Sequence, residues 1–211
     1  MIRFITFEGG DGTGKSTQLR SLADHLTEQG KSYILTREPG ATSLGKFIRQ
    51  ILLEVGKQPI NSSTELFLYL ADRAQHIQEV VAPAIAQGKI VLCDRHTDST
   101  LAYQGYGRGI DIDLLRRLNN MATCGIKADL TFLLDCPVEI ALSRTAARGV
   151  RSKTRREDRF EREELDFHER VRAGFLELAR AEPDRFRIID ASTSIQEATE
   201  QIKAIIDREL A

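Results

Sequence analysis

The sequence lacks several features that would set a chain apart from ordinary globular proteins. Its apolar residues never run to the roughly 20 positions that a membrane-spanning helix needs, so no transmembrane segment is predicted. The N-terminus leads directly into an apolar stretch, and no signal peptide is expected. Lys and Arg number 30 against 31 Asp and Glu. Because this balance leaves no broad basic surface, neither a membrane nor a nucleic acid is expected as a partner.

Cysteine is scarce as well. The three cysteines are Cys93, Cys124 and Cys136, and none of them forms a C-x-x-C pair. A small odd number without metal-ligand spacing predicts reduced thiols in a cytoplasmic protein and argues against a structural zinc site. Internal repeats and low-complexity linkers are also missing. The 211 residues are therefore interpreted as one domain, 1–211, long enough to bury a full core.

What the chain does contain is an alternation of short apolar strands and helical patterns. Strands are predicted at 3–8, 32–36, 90–94, 130–135 and 186–190, and helices near 16–29, 43–54, 63–87, 111–122, 137–147, 160–181 and 195–209. This order indicates an α/β fold with a five-stranded parallel sheet and helices on both faces. In such sheets, ligands bind outside the carboxyl ends of the strands.

The turn after the first strand has the pattern G-x-x-x-x-G-K-[ST]. It comprises Gly9, Gly10, Asp11, Gly12, Thr13, Gly14, Lys15 and Ser16, and an apolar strand precedes it while a helix follows. This context favours a phosphate-binding loop over a chance glycine-rich turn. Backbone N–H groups would hold phosphate oxygens, Lys15 would reach the β- and γ-phosphates, and the Ser16 hydroxyl would ligate Mg²⁺.

Polar residues follow the other strands at the same predicted edge, namely Arg37-Glu38, Asp94-Arg95 and Asp135. Arg95 has the planar guanidinium that binds a phosphate through two parallel hydrogen bonds. On the dipeptide alone, a structural ion pair at the end of the strand explains Asp94-Arg95 equally well.

Two further segments offer contacts to a nucleotide base. Tyr69 and Arg73 are spaced i, i+4, so a ring that stacks and an arginine that binds a base edge would share one helical face. Taken alone, Tyr69 among leucines is more typical of a core residue. Tyr103-Gln104 offers a similar but weaker signal. The four histidines, His25, His76, His96 and His168, lack metal-ligand spacing, and ordinary core or surface roles are expected for them.

A basic segment interrupts the apolar periodicity between Arg148 and Arg162. Its seven arginines and lysines against three acidic residues leave a net charge of +4. Charge runs are often solvated surface. Beside a phosphate loop, we favour a lid over about 148–160 that brings arginines to a triphosphate.

The chemistry of such a site is either transfer to a small acceptor or hydrolysis in a switch or motor. The guanine-reading motif N-K-x-D does not occur in the sequence. The candidate arginines and aromatic rings favour a kinase with a second, anionic substrate. The alternatives that stay open are the choice of pyrimidine nucleotide, a kinase of broad specificity, and a regulatory module that keeps the loop as a nucleotide sensor.

Seven motifs occur together along the chain. They are F-E-G-G-D-G-T-G-K-S-T (7–17), T-R-E-P-G (36–40), A-D-R-A-Q (71–75), D-R-H-T-D-S-T-L-A-Y-Q-G (94–105), G-R-G-I-D (107–111), L-D-C-P (134–137) and D-R-F-E (158–161). In this order, the chain resembles the bacterial thymidylate kinases of the nucleoside-monophosphate kinase superfamily of P-loop proteins. The likeness covers nearly the whole chain, and the second and fourth motifs are specific to that family.

The resemblance implies a three-layer α/β/α P-loop fold with a short lid, and a homodimer. It also implies transfer of the γ-phosphoryl group of ATP to dTMP, giving dTDP and ADP with Mg²⁺, in dTTP biosynthesis. ATP would be bound by residues 9–17, which end with Thr17. The residues implied in catalysis are Lys15, Asp11, Arg95 and Arg148, and those implied in metal binding are Ser16 and Asp94. The dTMP site would comprise Asp11, Glu38, Tyr69, Arg73, Arg95, Thr100, Tyr103 and Gln104.

The sequence departs from the family pattern at several positions. Tyr69 stands where Phe is commoner, which keeps the stacking ring and adds a hydroxyl. Ala41 replaces a glycine that often follows T-R-E-P-G. The loop 9–16 contains no arginine, so the lid has to supply one. Residues 151–156 lengthen the lid, which leaves open which of its arginines reaches the phosphates.

Overall fold

The computed structural model describes residues 2–53, 60–151, 160 and 163–210; for residues 148–151 it describes the backbone only. Most of the predicted lid, 152–159, therefore lies outside the described residues. Within the described ranges, no helix combines the length and apolarity required to cross a membrane.

The sheet contains five parallel strands, as the alternation of elements predicts. They are β1 (Phe4–Glu8), β2 (Tyr33–Arg37), β3 (Ile90–Asp94), β4 (Leu130–Asp135) and β5 (Phe186–Asp190), in the spatial order β2-β3-β1-β4-β5. In β1, Ile5 pairs with Leu92 of β3 on one side and with Leu130 of β4 on the other. The strand order reverses beside β1, so the loop that follows it lies at a topological switch point, where this fold class binds ligands.

Nine α-helices lie in the described part of the chain: α1 (Lys15–Glu28), α2 (Ser43–Leu53), α3 (Ser62–His76), α4 (Ala82–Ala86), α5 (Thr97–Thr100), α6 (Ile112–Ala122), α7 (Val138–Arg151), α8 (Leu165–Ala181) and α9 (Ile195–Glu209). Two π-helical stretches, Ile77–Val81 and Leu101–Gly107, continue α3 and α5 respectively.

Helices cover both faces of the sheet because β-strand side chains alternate. On one face, Phe7 and Phe132 pack against α1 and α9 through Leu26 and Ile206. On the other face, Leu133 packs with Phe175 of α8. The result is the predicted three-layer arrangement.

The structure differs from the predicted elements at four places, and one of them is α7, which was expected to end near 147 and continues to Arg151. The single helix expected over 63–87 contains a π-helical turn, since Pro83 cannot donate a backbone hydrogen bond and the turn before it widens. The helical stretch from Thr97 to Gly107 was not predicted. The helix expected from 160 begins at Leu165, after an extended Glu164 at its N-cap.

Candidate active site

The loop between β1 and α1 is shaped by its glycines. Gly12 has a φ of 89°, and a β-carbon there would collide with the backbone carbonyl of Ala141. Gly14, with a φ of 93°, precedes the first residue of α1. The glycines therefore allow the loop to curl tightly around the N-terminus of α1, where backbone N–H groups attract anions.

Lys15 is buried within this loop. Its Nζ donates to the carbonyl oxygens of Gly10 at 2.7 Å and Gly9 at 3.0 Å. Burial and the positive charge of Arg95 lower the pKa of Lys15 to about 8. The ammonium group thus lies directly at the phosphate-binding loop, held by two carbonyls that a phosphate can replace.

Ser16 and Asp94 lie next to each other at the ends of two different elements. The Ser16 Oγ donates to the Asp94 Oδ2 at 2.6 Å, linking the start of α1 to the end of β3. A hydroxyl and a carboxylate are the oxygen donors that Mg²⁺ prefers, so the pair fits that ion. No group of three or more potential metal ligands occurs within the described ranges. Phosphate oxygens and water would complete the coordination, as is usual for Mg²⁺.

Arg95 connects the loop to a neighbouring cavity. Its φ of 71° is unusual for a residue with a β-carbon. The Nη1 atom donates to Gly9 O at 2.9 Å and Ser99 Oγ at 3.0 Å, and Nη2 donates to Asp11 Oδ1 at 2.7 Å and Tyr103 Oη at 3.2 Å. Burial alone would raise the pKa of Asp11, but the charges of Arg95 and Lys15 hold it well below its usual range.

The cavity beside Arg95, here called the acceptor cavity, brings together all eight residues that the resemblance implies for a second substrate. These are Asp11, Glu38, Tyr69, Arg73, Arg95, Thr100, Tyr103 and Gln104. They come from the loop after β1, the ends of β2 and β3, α3, α5 and the stretch Leu101–Gly107. Residues far apart in sequence thus line one cavity.

Arg73 is fixed on a wall of the acceptor cavity by four hydrogen bonds. It donates from Nε to Glu38 and from Nη1 to Thr100 and Asn119, at 2.6–2.8 Å, and from Nη2 to the His96 carbonyl at 3.0 Å. A guanidinium has five N–H donors. One Nη2 hydrogen therefore stays without a partner among the described residues and is available to a ligand.

Two histidines, for which ordinary core or surface roles were expected, hold Glu38 in place. His76 and His96 each donate from Nδ1 to Glu38 Oε1, at 2.8 and 2.9 Å. Burial would raise the pKa of Glu38, but Arg73 and His96 lower it well below the usual value. His76 and His96 thus orient the Glu38 carboxylate, and Glu38 in turn orients Arg73.

The aromatic residues occupy distinct positions. Tyr69 is half-buried and faces the cavity, with its ring 6.4 Å from that of Phe160, so it is not simply a core residue. The Tyr103 ring is buried edge-on to Phe160, and its hydroxyl donates to Asp11 Oδ2 at 3.2 Å. The cavity therefore combines apolar rings with charged groups at the end near the loop.

Sequence reasoning missed Arg49, which lines the same cavity and donates from Nη1 to the Pro39 carbonyl at 2.9 Å. Arg49 lies within α2, and no motif of the sequence marks it as a site residue. Asp135 ends β4 at the expected edge, in a cavity that Gly9 and Gly10 also line, and Arg172 binds both of its oxygens at 2.8 and 2.9 Å. Asp135 therefore forms an ion pair with Arg172 of α8. The Arg148 side chain lies outside the described residues.

Known proteins share the sequence and the fold of this chain. The sequence model of the thymidylate kinase family matches residues 7–202. The thymidylate kinase of Geobacter sulfurreducens is 55% identical over 193 residues, which cover 92% of this chain and 91% of that one. The thymidylate kinase of Geotalea uraniireducens is 52% identical over 208 residues, or 99% and 98% of the two chains. The crystal structure of a thymidylate kinase from Ehrlichia chaffeensis superposes with a TM-score of 0.75 at 34% identity, covering 97% and 98%.

Proposed function

The chain belongs to the thymidylate kinase family, and from this premise we propose which of its residues carry out the reaction. It is a kinase that transfers the γ-phosphoryl group of ATP to dTMP, giving dTDP and ADP. One observation carries the assignment of roles: the guanidinium of Arg95 touches both the phosphate loop, at Gly9, and the acceptor cavity, at Asp11 and Tyr103.

The donor side of the site holds ATP. The backbone N–H groups of residues 9–17 surround its phosphates, and Lys15 exchanges its two carbonyl partners for β- and γ-phosphate oxygens. Ser16 and Asp94 would hold Mg²⁺, and when bound there it neutralises charge on the phosphates. The helix dipole of α1 adds a further attraction for the anion.

The acceptor side holds dTMP. Arg95 binds its phosphate, and Asp11 and Tyr103 lie next to that phosphate and to the sugar. Tyr69 stacks on the thymine ring. The Nη2 hydrogen that Arg73 keeps available reaches the thymine O4 atom, while Thr100 and Gln104 contribute polar contacts to the base. Glu38 orients Arg73 from the same cavity wall.

The reaction requires positioning and charge neutralisation more than covalent chemistry. Phosphoryl transfer passes through a loose transition state with charge on the peripheral oxygens. Lys15, Arg95 and the loop amides place cations and dipoles around that point, and Arg148 from the proposed lid, about 148–160, adds another charge. Closure of the lid would exclude water, which otherwise competes for the phosphoryl group.

A substrate panel tests the proposed roles. ADP formation is measured by a coupled assay with ATP and Mg²⁺ against dTMP, dUMP, dCMP and dAMP. We expect dTMP to have the highest kcat/KM, because the cavity offers one donor for O4 and a stacking ring. Equal values for dCMP would contradict the base contacts proposed for Arg73, and no ADP with any acceptor would contradict the proposed site as a whole.

We further propose that the chain works as a single domain, as a homodimer, and in the cytoplasm. One sheet unites elements from β1 to β5, which supports the single domain. Large apolar side chains are exposed along α2 and α3, which pack side by side; Phe47 is 67% exposed, Phe67 62% and Ile51 53%. Such a patch is typical of a protein interface. The three cysteines are unpaired, in agreement with a reducing compartment.

A further inference from the structure

The side-chain amide of Gln104 has a defined orientation. Gln104 lines the acceptor cavity, and its Nε2 donates to Glu65 Oε1 at 2.7 Å. Within the described ranges, no group donates to the Gln104 Oε1 atom. The Nε2 group therefore faces Glu65, and the Oε1 atom is left as an acceptor for a ligand.

Glu65 imposes this orientation because of its own surroundings. It is fully buried on α3. The guanidinium of Arg108 contacts both carboxylate oxygens of Glu65, at 3.3 and 3.4 Å, and also binds Glu163 at 2.6 Å. A carboxylate paired with a guanidinium has only acceptor atoms. If Gln104 turned its oxygen towards Glu65, two acceptors would face each other in a buried place and the hydrogen bond between the two side chains would be lost.

We propose that Glu65 is a positioning residue for base recognition: it fixes Gln104 with its oxygen towards the cavity, so that the site accepts pyrimidines with a hydrogen at N3 and rejects cytosine. Thymine and uracil carry a donor at N3, whereas cytosine carries an acceptor there. A fixed acceptor thus binds the N3 hydrogen of thymine or uracil. With cytosine, the Gln104 oxygen and the N3 atom would be two acceptors facing each other in a buried place. This inference rests on the proposed function, in which the cavity holds the base of the acceptor.

Arg73 complements the contribution of Gln104. Its available Nη2 hydrogen is a donor, which suits the O4 oxygen of thymine and opposes the N4 amino group of cytosine. The cavity would therefore present one donor and one acceptor in the pattern of the thymine edge. Discrimination built on unpaired polar groups is large compared with discrimination by size. Because Arg73 contributes separately, loss of the Glu65 constraint should weaken base selection without abolishing it.

The test is the variant Glu65→Gln, assayed for kcat/KM with dTMP and with dCMP. An amide at position 65 can donate or accept, so Gln104 is equally satisfied in either orientation. We expect the ratio of the two kcat/KM values to fall by about tenfold or more. The loss should appear in KM for dTMP, with KM for ATP and kcat unchanged. An unchanged ratio overturns the inference.

Two controls separate orientation from general damage. Glu163→Gln removes the other carboxylate from Arg108 without touching Gln104, and should leave the ratio unchanged. Glu65→Gln is also placed in a Gln104→Ala background, where it should have no further effect on the ratio. A further fall in that background shows a role independent of Gln104 and overturns the inference. If Gln104→Ala alone leaves the ratio unchanged, the base contact assigned to Gln104 under the proposed function fails instead.

A second variant covers the case in which Glu65→Gln does not fold. The double substitution Glu65→Gln with Gln104→Glu exchanges the two groups: the new amide donates to the new carboxylate, whose other oxygen faces the cavity. An acceptor is thereby kept at the same place, and we expect the preference for dTMP over dCMP to be retained. Loss of this preference in a folded double variant overturns the inference.

Discussion

Arg95 is the residue on which the two halves of the site depend. Each of its four terminal N–H groups is engaged with the loop, α5 or Tyr103, so its position is set before substrate binds. We expect Arg95→Ala to lower kcat/KM for dTMP by roughly a hundredfold or more, since a charge-assisted contact at the transferring group is lost. Lys15→Ala should have an effect of similar size. Steady-state kinetics with both substrates measures this.

The matched control for Arg95→Ala is Arg116→Ala. Arg116 is half exposed and pairs with Asp113 on the surface of α6. Its removal should leave kinetics and thermal stability nearly unchanged. Turnover of Arg95→Ala at the wild-type level, in a protein with an unchanged circular dichroism spectrum, would remove Arg95 from the mechanism.

Asp72 links stability to pH. Its Oδ1 accepts from the Gly40 amide at 3.0 Å, while Oδ2 is buried without a partner among the described residues. Burial and the neighbouring charge of Glu38 raise the pKa of Asp72 to about 6. Above that pH, folding has to accommodate an ionised and poorly solvated carboxylate; below the unfolded-state pKa of about 3.9, both states are protonated and the penalty disappears.

We therefore expect Asp72→Asn to be more stable than wild type by about 2 kcal/mol near pH 7.5, and this advantage should shrink as the pH falls from about 6 to about 4. Chemical denaturation at several pH values measures it. The exposed Asp113→Asn is the control and should show no such trend. A stability difference that is independent of pH would contradict the assignment.

Some residues of the site could be predicted from the sequence, and others could not. Lys15, Ser16, Asp94 and Arg95 carry a local signal, because loop, strand and side chain are adjacent in sequence. His96 and Glu65 act through partners 58 and 39 residues away, respectively. No local spacing encodes such contacts, since they arise only when helices pack onto the sheet.

At the scale of elements, α8 and the stretch Leu101–Gly107 approach closely at Gly174. A β-carbon at Gly174 would lie 2.5 Å from Cγ and 2.8 Å from Cβ of Tyr106, atoms close to the backbone that cannot easily move aside. We expect Gly174→Ala to lose about 1–3 kcal/mol of stability, more than alanine gains in helix propensity. KM for dTMP should rise too, because the displaced stretch carries Tyr103.

Thermal unfolding monitored by circular dichroism measures this loss. Ala173→Leu adds more volume at the neighbouring, exposed position of α8 and serves as the control. Its melting temperature should stay close to that of wild type. Equal melting temperatures for Gly174→Ala and wild type would show that the interface is looser than the distances indicate.

The second element-scale prediction concerns Arg148, whose backbone belongs to α7. If the lid stabilises the transferring phosphoryl group, Arg148→Ala should lower kcat by about tenfold or more and leave KM for dTMP nearly unchanged. The exposed Arg180→Ala on α8 is the control. A rise in KM for dTMP with unchanged kcat would place Arg148 in the acceptor cavity instead.

The elements themselves show why the sequence predicts some structure better than the rest. All five strands were predicted within one residue at each end, because each is a short apolar run flanked by turn signals. The helical stretch Thr97–Gly107 was missed, since threonine, serine and glycine have low helix propensity. Burial of Leu101, Ala102 and Tyr103 against α8 overrides that preference.

At the scale of the whole molecule, the exposed apolar faces of α2 and α3 predict self-association. Phe67→Asp places a charge in the middle of the proposed interface, where its desolvation would be costly. We expect this variant to run as a monomer in size-exclusion chromatography with light scattering, while wild type runs as a dimer. Ile195→Asp changes an equally exposed apolar residue at the start of α9 and should remain dimeric. A monomeric wild type would contradict the proposed dimer.

The strand order has a consequence for how the enzyme is made. During synthesis, β1 leaves the ribosome early, but its two neighbours in the sheet, β3 and β4, are translated much later. At about 5–20 residues per second, the first strand waits several seconds before either partner exists. A nascent chain therefore has no assembled nucleotide site over that period. Cellular ATP can stabilise the protein only once more than half of it has been translated.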